Sequence, residues 1–364
     1  MMQKNRFQDL GNSLATWFHT HPRKRWVVIA AGFLVLASFV GGIVWALTPA
    51  KPAPVPTVTT HPKPKPTQKY YSPLTGNEVP SQAATTAPVT GIMIENSPEA
   101  RPQSGLKDAG VIYEAIAEGG ITRFLALYQE AKPQLIGPVR SLRMYYVDWL
   151  APYNASAAHI GGSAAALAEI RNGSYRDIDQ FFNAGSYWRV TDRAAPHNVY
   201  TSFERLDALN AAKQYTSSTF QSFARTTTPP AGSAPATSVA VTISGPLYNS
   251  AYTYDQASKT YLRSEGGAAH NDREGGQLAP AVVIAMHVDM TRVMEDGYRQ
   301  SIATTGTGKV EIFQQGTVTE GTWRKNSRNE PLELIDANGK AIELARGQTW
   351  ITAIPNNSGG VSWH

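Results

Sequence analysis

The chain has 364 residues, with 33 Lys and Arg against 28 Asp and Glu, and no cysteine. The missing cysteine excludes disulfide bonds, thiolate metal ligands and a lipid-modified cysteine. The net charge of +5 does not predict nucleic-acid binding, because much of the excess lies in the N-terminal tail and the proline-rich segment. We therefore expect no nucleic-acid partner.

An uninterrupted apolar segment covers residues 26–47. As a helix it would rise about 33 Å, which is enough to cross the hydrocarbon core of a bilayer. Arg23, Lys24 and Arg25 precede it, so the positive-inside rule predicts a cytoplasmic tail at 1–25 and a single-pass transmembrane anchor. The alternative is a cleaved signal peptide, but the segment is long for one and no clear A-x-A site follows.

A proline-rich segment follows at 48–69, with seven prolines between residues 48 and 68. This composition favours extended polyproline II, which could reach roughly 65 Å at this length. We interpret the segment as a semi-rigid stalk that holds the folded part away from the membrane.

Strand and helix patterns alternate from residue 70 to 215, which predicts an α/β layered domain. Apolar runs predict strands at 89–94, 111–117, 123–128 and 155–160. Helical spacing predicts helices at 144–150, 164–171 and 203–215.

A Ser-, Thr- and Pro-rich segment at 216–237 is predicted to link this domain to a smaller, mostly-β domain at 238–364. The fold class is therefore α+β, with an anchor helix before both domains. Gly306-Thr307-Gly308 is interpreted as a hairpin turn, and Asp336–Gly339 as a turn cluster. The predicted strands of the second domain are 239–243, 252–254, 260–263, 281–287, 309–313, 316–325 and 349–354.

Gly161, Gly162 and Ser163 lie between a predicted strand and a predicted helix. Three interpretations stay open for this motif. Ser163 can cap the helix, the free N–H groups of the helix can bind an anion, or Ser163 can act as a nucleophile in a relaxed elbow that lacks the last glycine.

Arginines cluster beside glycines in the first domain. Arg140 and Arg143 flank Ser141 at the start of a predicted helix, and Arg123 follows Glu118 and a Gly-Gly pair. Guanidinium groups suit carboxylate and phosphate ligands, so the cluster favours a binding cleft. Each arginine alone can instead pair with a nearby glutamate, namely Glu95, Glu114 or Glu118.

Other candidate groups are scattered. Glu95 and Asn96 end the first long strand, His159 precedes the Gly-Gly-Ser motif, and His197 adjoins Asn198. Paired carboxylates or imidazoles can perform acid–base chemistry. No zinc-helix spacing or HEXXH motif is present in the sequence, so we predict no metal site and no cofactor.

Several strings together resemble the YerB-like family of bacterial extracytoplasmic proteins, many of them lipoproteins. They are PLTG at Pro73, IMIENSPEARPQSGL from Ile92, EGGITRF from Glu118, IGPVRS from Ile136, HIGGS from His159, PHNVYTS from Pro196, YTYDQASKTYLRS from Tyr252, H-x-D at His270 and TWITAIP from Thr349. The resemblance implies two folded domains outside the cytoplasm. It implies no catalytic residues, because the family is one of unknown function.

The first hypothesis is a binding module for an anionic or polyhydroxylated cell-envelope ligand, such as a wall fragment or a small anion. Its predicted ligand-binding residues are Glu95, Asn96, Glu118, Arg123, Arg140, Ser141, Arg143, His159, Gly161, Gly162, Ser163, His197 and Asn198. The first alternative is an envelope hydrolase that uses Glu95, Glu114, His159, Ser163 and His197. The second alternative is a scaffold for envelope assembly.

Overall fold

The computed structural model describes residues 4–47, 49, 68–292 and 299–364 of the chain. They fall into two compact units, Met1–Pro66 and Thr67–His364. The predicted stalk at 48–69 lies almost entirely outside the described residues.

The N-terminal unit contains two helices, α1 (Lys4–Thr20) and α2 (Arg25–Leu47). Helix α2 has a mean hydropathy of 2.6, and its apolar side chains are exposed. By length and composition it can cross a membrane, as the apolar segment at 26–47 predicts. No local pattern predicted a helix in the tail, so α1 is a feature that only the structure shows.

Among the residues that the structure describes, the second unit contains three α-helices and all of the strands. The helices are α3 (Met144–Leu150), α4 (Ala164–Asn172) and α5 (Phe203–Ala212). The strands up to residue 215 are β1 (Tyr70–Tyr71), β2 (Glu78–Val79), β3 (Thr90–Glu95), β4 (Val111–Glu118), β5 (Ile121–Tyr128), β6 (Ser156–Ala158), β7 (Arg176–Asp177), β8 (Tyr187–Arg189) and β9 (Val199–Thr201). Short 3-10 turns cover Ala83–Thr86, Pro98–Ala100, Leu106–Asp108, Ala151–Tyr153 and Ala184–Ser186.

The remaining strands begin inside the segment predicted as a linker. They are β10 (Arg225–Thr226), β11 (Ala234–Pro235), β12 (Ser238–Thr242), β13 (Ser250–Asp255), β14 (Thr260–Glu265), β15 (Ala268–Ala269), β16 (Asn271–Asp272), β17 (Gly276–Gln277), β18 (Val282–Val288), β19 (Met290–Arg292), β20 (Gln300–Ile302), β21 (Gly306–Gln314), β22 (Thr317–Lys325), β23 (Glu333–Ile335), β24 (Leu344–Ala345), β25 (Thr349–Pro355) and β26 (Gly360–Trp363).

The α+β class is confirmed, and one turn prediction is wrong. Gly306-Thr307-Gly308 is not a hairpin turn but the first part of β21, where Gly308 pairs with Trp323 of β22. A side chain at Gly308 would place its Cβ 2.5 Å from Nε1 of Trp323. Glycine is therefore required here for close packing between two strands. A pair of nearby glycines in the sequence does not distinguish this role from a turn.

One eleven-stranded sheet runs through the whole second unit. Its order is β11-β22-β21-β18-β25-β4-β5-β3-β6-β7, with β23 beside β22. Strands β25 and β4 join the C-terminal and N-terminal parts as a parallel pair, in the register Thr349 to Val111 and Thr352 to Glu114. Both halves of the chain therefore contribute to one sheet.

Alternating side chains place separate cores on the two faces of this sheet. On β25, Ile351 lies in the core that contains Tyr145 of α3, while Trp350 lies in the core that contains Phe203 of α5. Helices α3 and α4 thus cover one face, and α5 covers part of the other. A five-stranded antiparallel sheet, β15-β14-β13-β12-β26, also packs on the α5 face, where Tyr252 shares a core with Val283.

Candidate functional site

The arginine motif and the Gly-Gly-Ser motif lie side by side. The N–H of Leu142 donates to the carbonyl of Gly161 at 3.0 Å, and the N–H of Ser163 donates back to Leu142 at 3.1 Å. The N–H of Ile160 donates to the carbonyl of Arg140 at 3.1 Å. These backbone bonds bring two segments about twenty residues apart into direct contact.

A cleft of about 400 Å³ opens beside this contact, and we call it the α3–α4 cleft. Its wall is formed by the first turns of α3 and α4 and by β20 with the residue before it. Its lining residues are Arg143, Met144, Tyr145, Asp148, Ser163, Ala164, Ala165, Arg299, Gln300, Ser301 and Ile302. Both halves of the chain therefore line one cleft.

Arg143, which lines the α3–α4 cleft, belongs to a group of three charged side chains with Glu118 and Arg123. The Nη2 atoms of Arg123 and Arg143 each lie 2.8 Å from an oxygen of Glu118. Burial would raise the pKa of Glu118, but the two guanidinium groups outweigh it and hold the pKa below the ordinary value. Two cations share one carboxylate, so the group keeps one excess positive charge. Arg123 also donates to the carbonyl of Ser141 at 2.9 Å.

A strand irregularity places Glu118 here. The pairing of β4 with β5 shifts register between Ile116 and Glu118. An extra residue in a strand changes which face the following side chain occupies. Glu114, on the regular part of β4, instead lies on the α5 face.

Ser163 caps helix α4 at the mouth of the cleft. Its Oγ accepts a hydrogen bond from the N–H of Ala166 at 3.4 Å, which is typical of an N-cap. Ser163, Ala164 and Ala165 of this helix end line the α3–α4 cleft, and the first N–H groups of a helix have no partner within the helix. This arrangement is compatible with both capping and anion binding. No histidine nitrogen is a hydrogen-bond partner of Ser163 among the described residues, so the geometry gives the nucleophile interpretation no base.

His159 is buried and stabilises the Gly-Gly-Ser turn through a hydrogen bond. Its Nδ1 lies 2.8 Å from the carbonyl oxygen of Gly161, and its Nε2 lies 3.1 Å from Oδ1 of Asp177. The N–H of Gly161 donates to Asp179 at 3.1 Å. Since both ring nitrogens are engaged, His159 positions the turn and does not face the α3–α4 cleft.

A second group gathers at the end of β3. Glu95 lies 3.1 Å from Nε of Arg140 and 2.9 Å from Nδ1 of His197, while Oγ of Ser97 lies 3.2 Å from the same Nδ1. A catalytic triad needs the acid and the serine on different ring nitrogens. This group is therefore a polar cluster without the geometry of a serine nucleophile.

Glu114 and Asn96 belong to a third, closed cluster on the α5 face, which we call the Arg263 network. Arg263 lies within 3.2 Å of both oxygens of Glu114 and 3.3 Å from Glu265. His270 accepts from Nε of Arg263 at 2.9 Å, so its Nδ1 carries no proton. The network is completed by Asn96, Gln103, Tyr252, Trp350 and Thr352.

Burial shifts two pKa values in the Arg263 network. It raises the pKa of Glu265 to about 7, even though the charge of Arg263 acts in the opposite direction. It lowers the pKa of His270 well below the ordinary value, and the charges of Arg263 and Arg101 add to that shift. Both groups therefore favour their neutral forms inside the protein.

The structure divides the thirteen predicted residues. Seven lie at or beside the α3–α4 cleft: Glu118, Arg123, Ser141, Arg143, Gly161, Gly162 and Ser163. Glu95, Arg140 and His197 form the cluster at the end of β3. His159 and Asn96 are buried, and Asn198 holds a local turn by accepting from Arg189 at 2.7 Å.

The five groups named for a hydrolase do not form one site. Glu95 and His197 are in contact, but Glu114 is in the Arg263 network and Ser163 is at the cleft. Sequence reasoning missed Asp148 and the segment 299–302. No local signal marks 299–302, which reaches the cleft from the other half of the chain. Among the described residues, no three His, Asp or Glu side chains gather as metal ligands would.

Comparison with known proteins finds relatives for nearly the whole second unit. Residues 74–217 and 239–351 match the N-terminal and C-terminal domains of a family described as a protein of unknown function, DUF3048. The YerB protein of Bacillus subtilis (strain 168), named as a candidate lipoprotein, is 31% identical over 295 residues, which are 79% of this chain and 87% of the relative. The crystal structure of Bacillus subtilis YerB matches with a TM-score of 0.72 and 29% identity, covering 81% of this chain and 100% of that chain.

Proposed function

The chain belongs to the DUF3048 family, and on that premise we propose that it is a membrane-anchored bacterial envelope protein that binds an anionic or polyhydroxylated ligand in the α3–α4 cleft. The supporting observation is the position of Arg143 and the N-terminus of α4 on one cleft of about 400 Å³. A guanidinium group and free helix N–H groups both favour anions and hydroxyl-rich ligands.

The charges around the cleft support this choice of ligand. Among the described residues, Arg123 and Arg143 share one carboxylate, Glu118, so one positive charge is uncompensated within that group. Asp148, the acidic side chain in the lining, is already paired with Arg328, whose Nε lies 2.6 Å away. An anionic ligand would thus meet a net positive surface. The cleft is also large enough for a sugar ring or a small acidic metabolite.

Anchoring outside the cytoplasm is supported by α2 and by the relative's name as a candidate lipoprotein. The chain has no cysteine, so single introduced cysteines report topology cleanly. We expect Ser358→Cys to react with a membrane-impermeant maleimide on intact cells, and Ser13→Cys to react only after permeabilisation. The reverse pattern would contradict the proposed orientation.

Ligand binding is tested by calorimetry on the full-length protein in nonionic detergent, with a soluble disaccharide-peptide wall fragment as the probe. We expect Arg143→Met to weaken binding at least tenfold, because it removes the cation of the cleft. The matched control is Arg324→Met, since Arg324 pairs with Glu333 away from the cleft.

A second pair of variants separates binding from helix capping. Ser163→Ala and Ser202→Ala each remove an N-cap, since Ser202 caps α5 by accepting from the N–H of Arg205. We expect only Ser163→Ala to weaken ligand binding. Equal affinities in wild type, Arg143→Met and Ser163→Ala would overturn the proposed site.

A further inference from the structure

A second cleft, of about 350 Å³, lies between the β13–β14 hairpin and the segment 345–348. We call it the Arg346 cleft. Its lining contains two cationic side chains, Lys259 and Arg346, and no Asp or Glu. The cleft is distinct from the α3–α4 cleft, and the proposed function does not use it.

Arg346 lacks an anionic partner. Its guanidinium carbon lies 4.0 Å from the ring centroid of Tyr71, and its buried Nε has no hydrogen-bond acceptor. Among the described residues, neither Arg346 nor Lys259 forms an ion pair with a carboxylate. Arg346 is partly buried and Lys259 is exposed. Charged groups in partly buried sites are normally paired, so the unpaired guanidinium of Arg346 calls for an explanation.

A third cation, Arg225, lies directly behind the cleft. It donates to the carbonyls of Ala345 and Gly347 at 2.9 and 3.2 Å and to Thr349 at 3.0 Å, all of them neutral acceptors. Burial lowers its pKa to about 10, a value at which it is still protonated at neutral pH. Arg225 therefore holds the backbone beside Arg346, and Glu130 offsets part of its charge.

The turn at Gly76 lets the two arginines approach each other. A Cβ at Gly76 would lie 2.9 Å from Cδ of Arg225 and 3.0 Å from Cγ of Arg346. Gly76 also has a φ of +75°, which favours glycine. The fold thus packs the aliphatic stems of Arg225 and Arg346 against one glycine, which places both side chains at the same turn.

Two carboxylates of neighbouring segments, Asp255 on the β13–β14 hairpin and Glu130 near Arg225, have partners of their own. Asp255 accepts from the N–H groups of Ala257 and Ser258, at 3.2 and 3.1 Å, inside its own hairpin turn. Glu130 accepts from Ser72 at 2.9 Å and also from Thr75. Neither carboxylate forms an ion pair with Arg346 or Lys259, so the positive charge of the cleft stays available.

We propose that the Arg346 cleft is a phosphate-binding site that takes a phosphomonoester or phosphodiester group between Arg346 and Lys259. The guanidinium fork provides two parallel donors to phosphate oxygens, and the ammonium group adds a compact second charge. Arg346 of this cleft packs on Tyr71. Tyr71 lies at the start of the folded unit, about two dozen residues after the end of α2. The phosphate can come from a lipid head group or from a soluble phosphoester.

The soluble arm measures glycerol 3-phosphate by calorimetry on the full-length protein in nonionic detergent, with glycerol as the negative control. We expect saturable binding that Arg346→Met and Lys259→Gln each weaken at least fivefold. Methionine keeps an apolar side chain against Tyr71, so the fold is expected to persist. Arg324→Met, which removes an exposed arginine elsewhere, should leave the affinity unchanged.

The lipid arm compares nanodiscs of phosphatidylglycerol with nanodiscs of phosphatidylcholine. A higher melting temperature of the wild type in phosphatidylglycerol, lost in Arg346→Met, would identify a lipid head group as the source. Binding of glycerol 3-phosphate with no such lipid effect would identify a soluble ester.

Two results would overturn the proposal. One is the absence of saturable binding in both arms. The other is phosphoester binding that Arg143→Met abolishes and Arg346→Met leaves intact, because that binding would belong to the α3–α4 cleft. A result against the phosphate site in the Arg346 cleft is therefore distinguishable from a result against the ligand site in the α3–α4 cleft.

Discussion

The Arg263 network and the α3–α4 cleft lie on opposite faces of one sheet and use the same residue types in different ways. In the network, Arg263 meets two carboxylates, Glu114 and Glu265, and the side chains are buried. At the cleft, two arginines share Glu118, which remains partly exposed. The number of partners and the access of water, rather than residue identity, separate a structural cluster from a candidate binding site.

The largest expected effect comes from breaking the network. Arg263→Met would leave Glu114 buried without its cation, while Glu265 would keep Arg101 at 3.5 Å, so we expect the free energy of unfolding to fall by about 3–5 kcal/mol. Arg143→Met should cost clearly less, because Glu118 keeps Arg123 and is reached by water. Urea denaturation of the full-length protein in detergent measures both. Equal losses would remove the distinction between the two clusters.

The pH dependence of the free energy of unfolding tests the Arg263 network, because two of its buried groups have shifted pKa values. The raised pKa of Glu265 means that the folded state holds a proton that the unfolded state releases between about pH 4.5 and 7, so this group makes stability fall as pH rises. The lowered pKa of His270 means that the unfolded state binds an extra proton below about pH 6.5, so this group makes stability fall as pH drops. The two slopes oppose each other in the wild type.

Single substitutions should reveal each of the two pH dependences of stability separately. In Glu265→Gln the His270 effect remains, and stability should rise with pH up to about 6.5. In His270→Gln the Glu265 effect remains, and stability should fall as pH rises toward 7. Each slope is at most about 1.4 kcal/mol per pH unit. Parallel pH profiles in the two variants would show that these groups do not titrate as the buried geometry implies.

The smallest effect concerns helix capping. Ser163→Ala at the cleft and Ser202→Ala on α5 should each lower the free energy of unfolding by about 1 kcal/mol, because each removes one N-cap hydrogen bond. Denaturation curves of the two variants should therefore be similar, although only Ser163 borders the cleft. A much larger loss in Ser163→Ala would show that this serine has a structural role beyond capping.

Much of the local structure was predictable because its signals are local. The strands at 111–117 and 123–128, the helix at 144–150 and the start of α4 are confirmed, since hydrophobic period and a capping serine act over a few residues. The YerB-like resemblance is also confirmed, because it rests on strings of matched residues. Gly306–Gly308 was misassigned because a glycine required by packing looks like a glycine required by a turn.

Local patterns of residues were enough to predict the apolar helix, the longer strands and helices, and the segments that carry charged side chains. Which charged groups pair with one another depends on how the chain folds. Arg263 pairs with Glu114 across 149 residues, and the segment 299–302 completes a cleft that begins at Arg143. The physical reason is that the free energy of an ion pair depends on burial and on the number of partners, and both are set by long-range contacts.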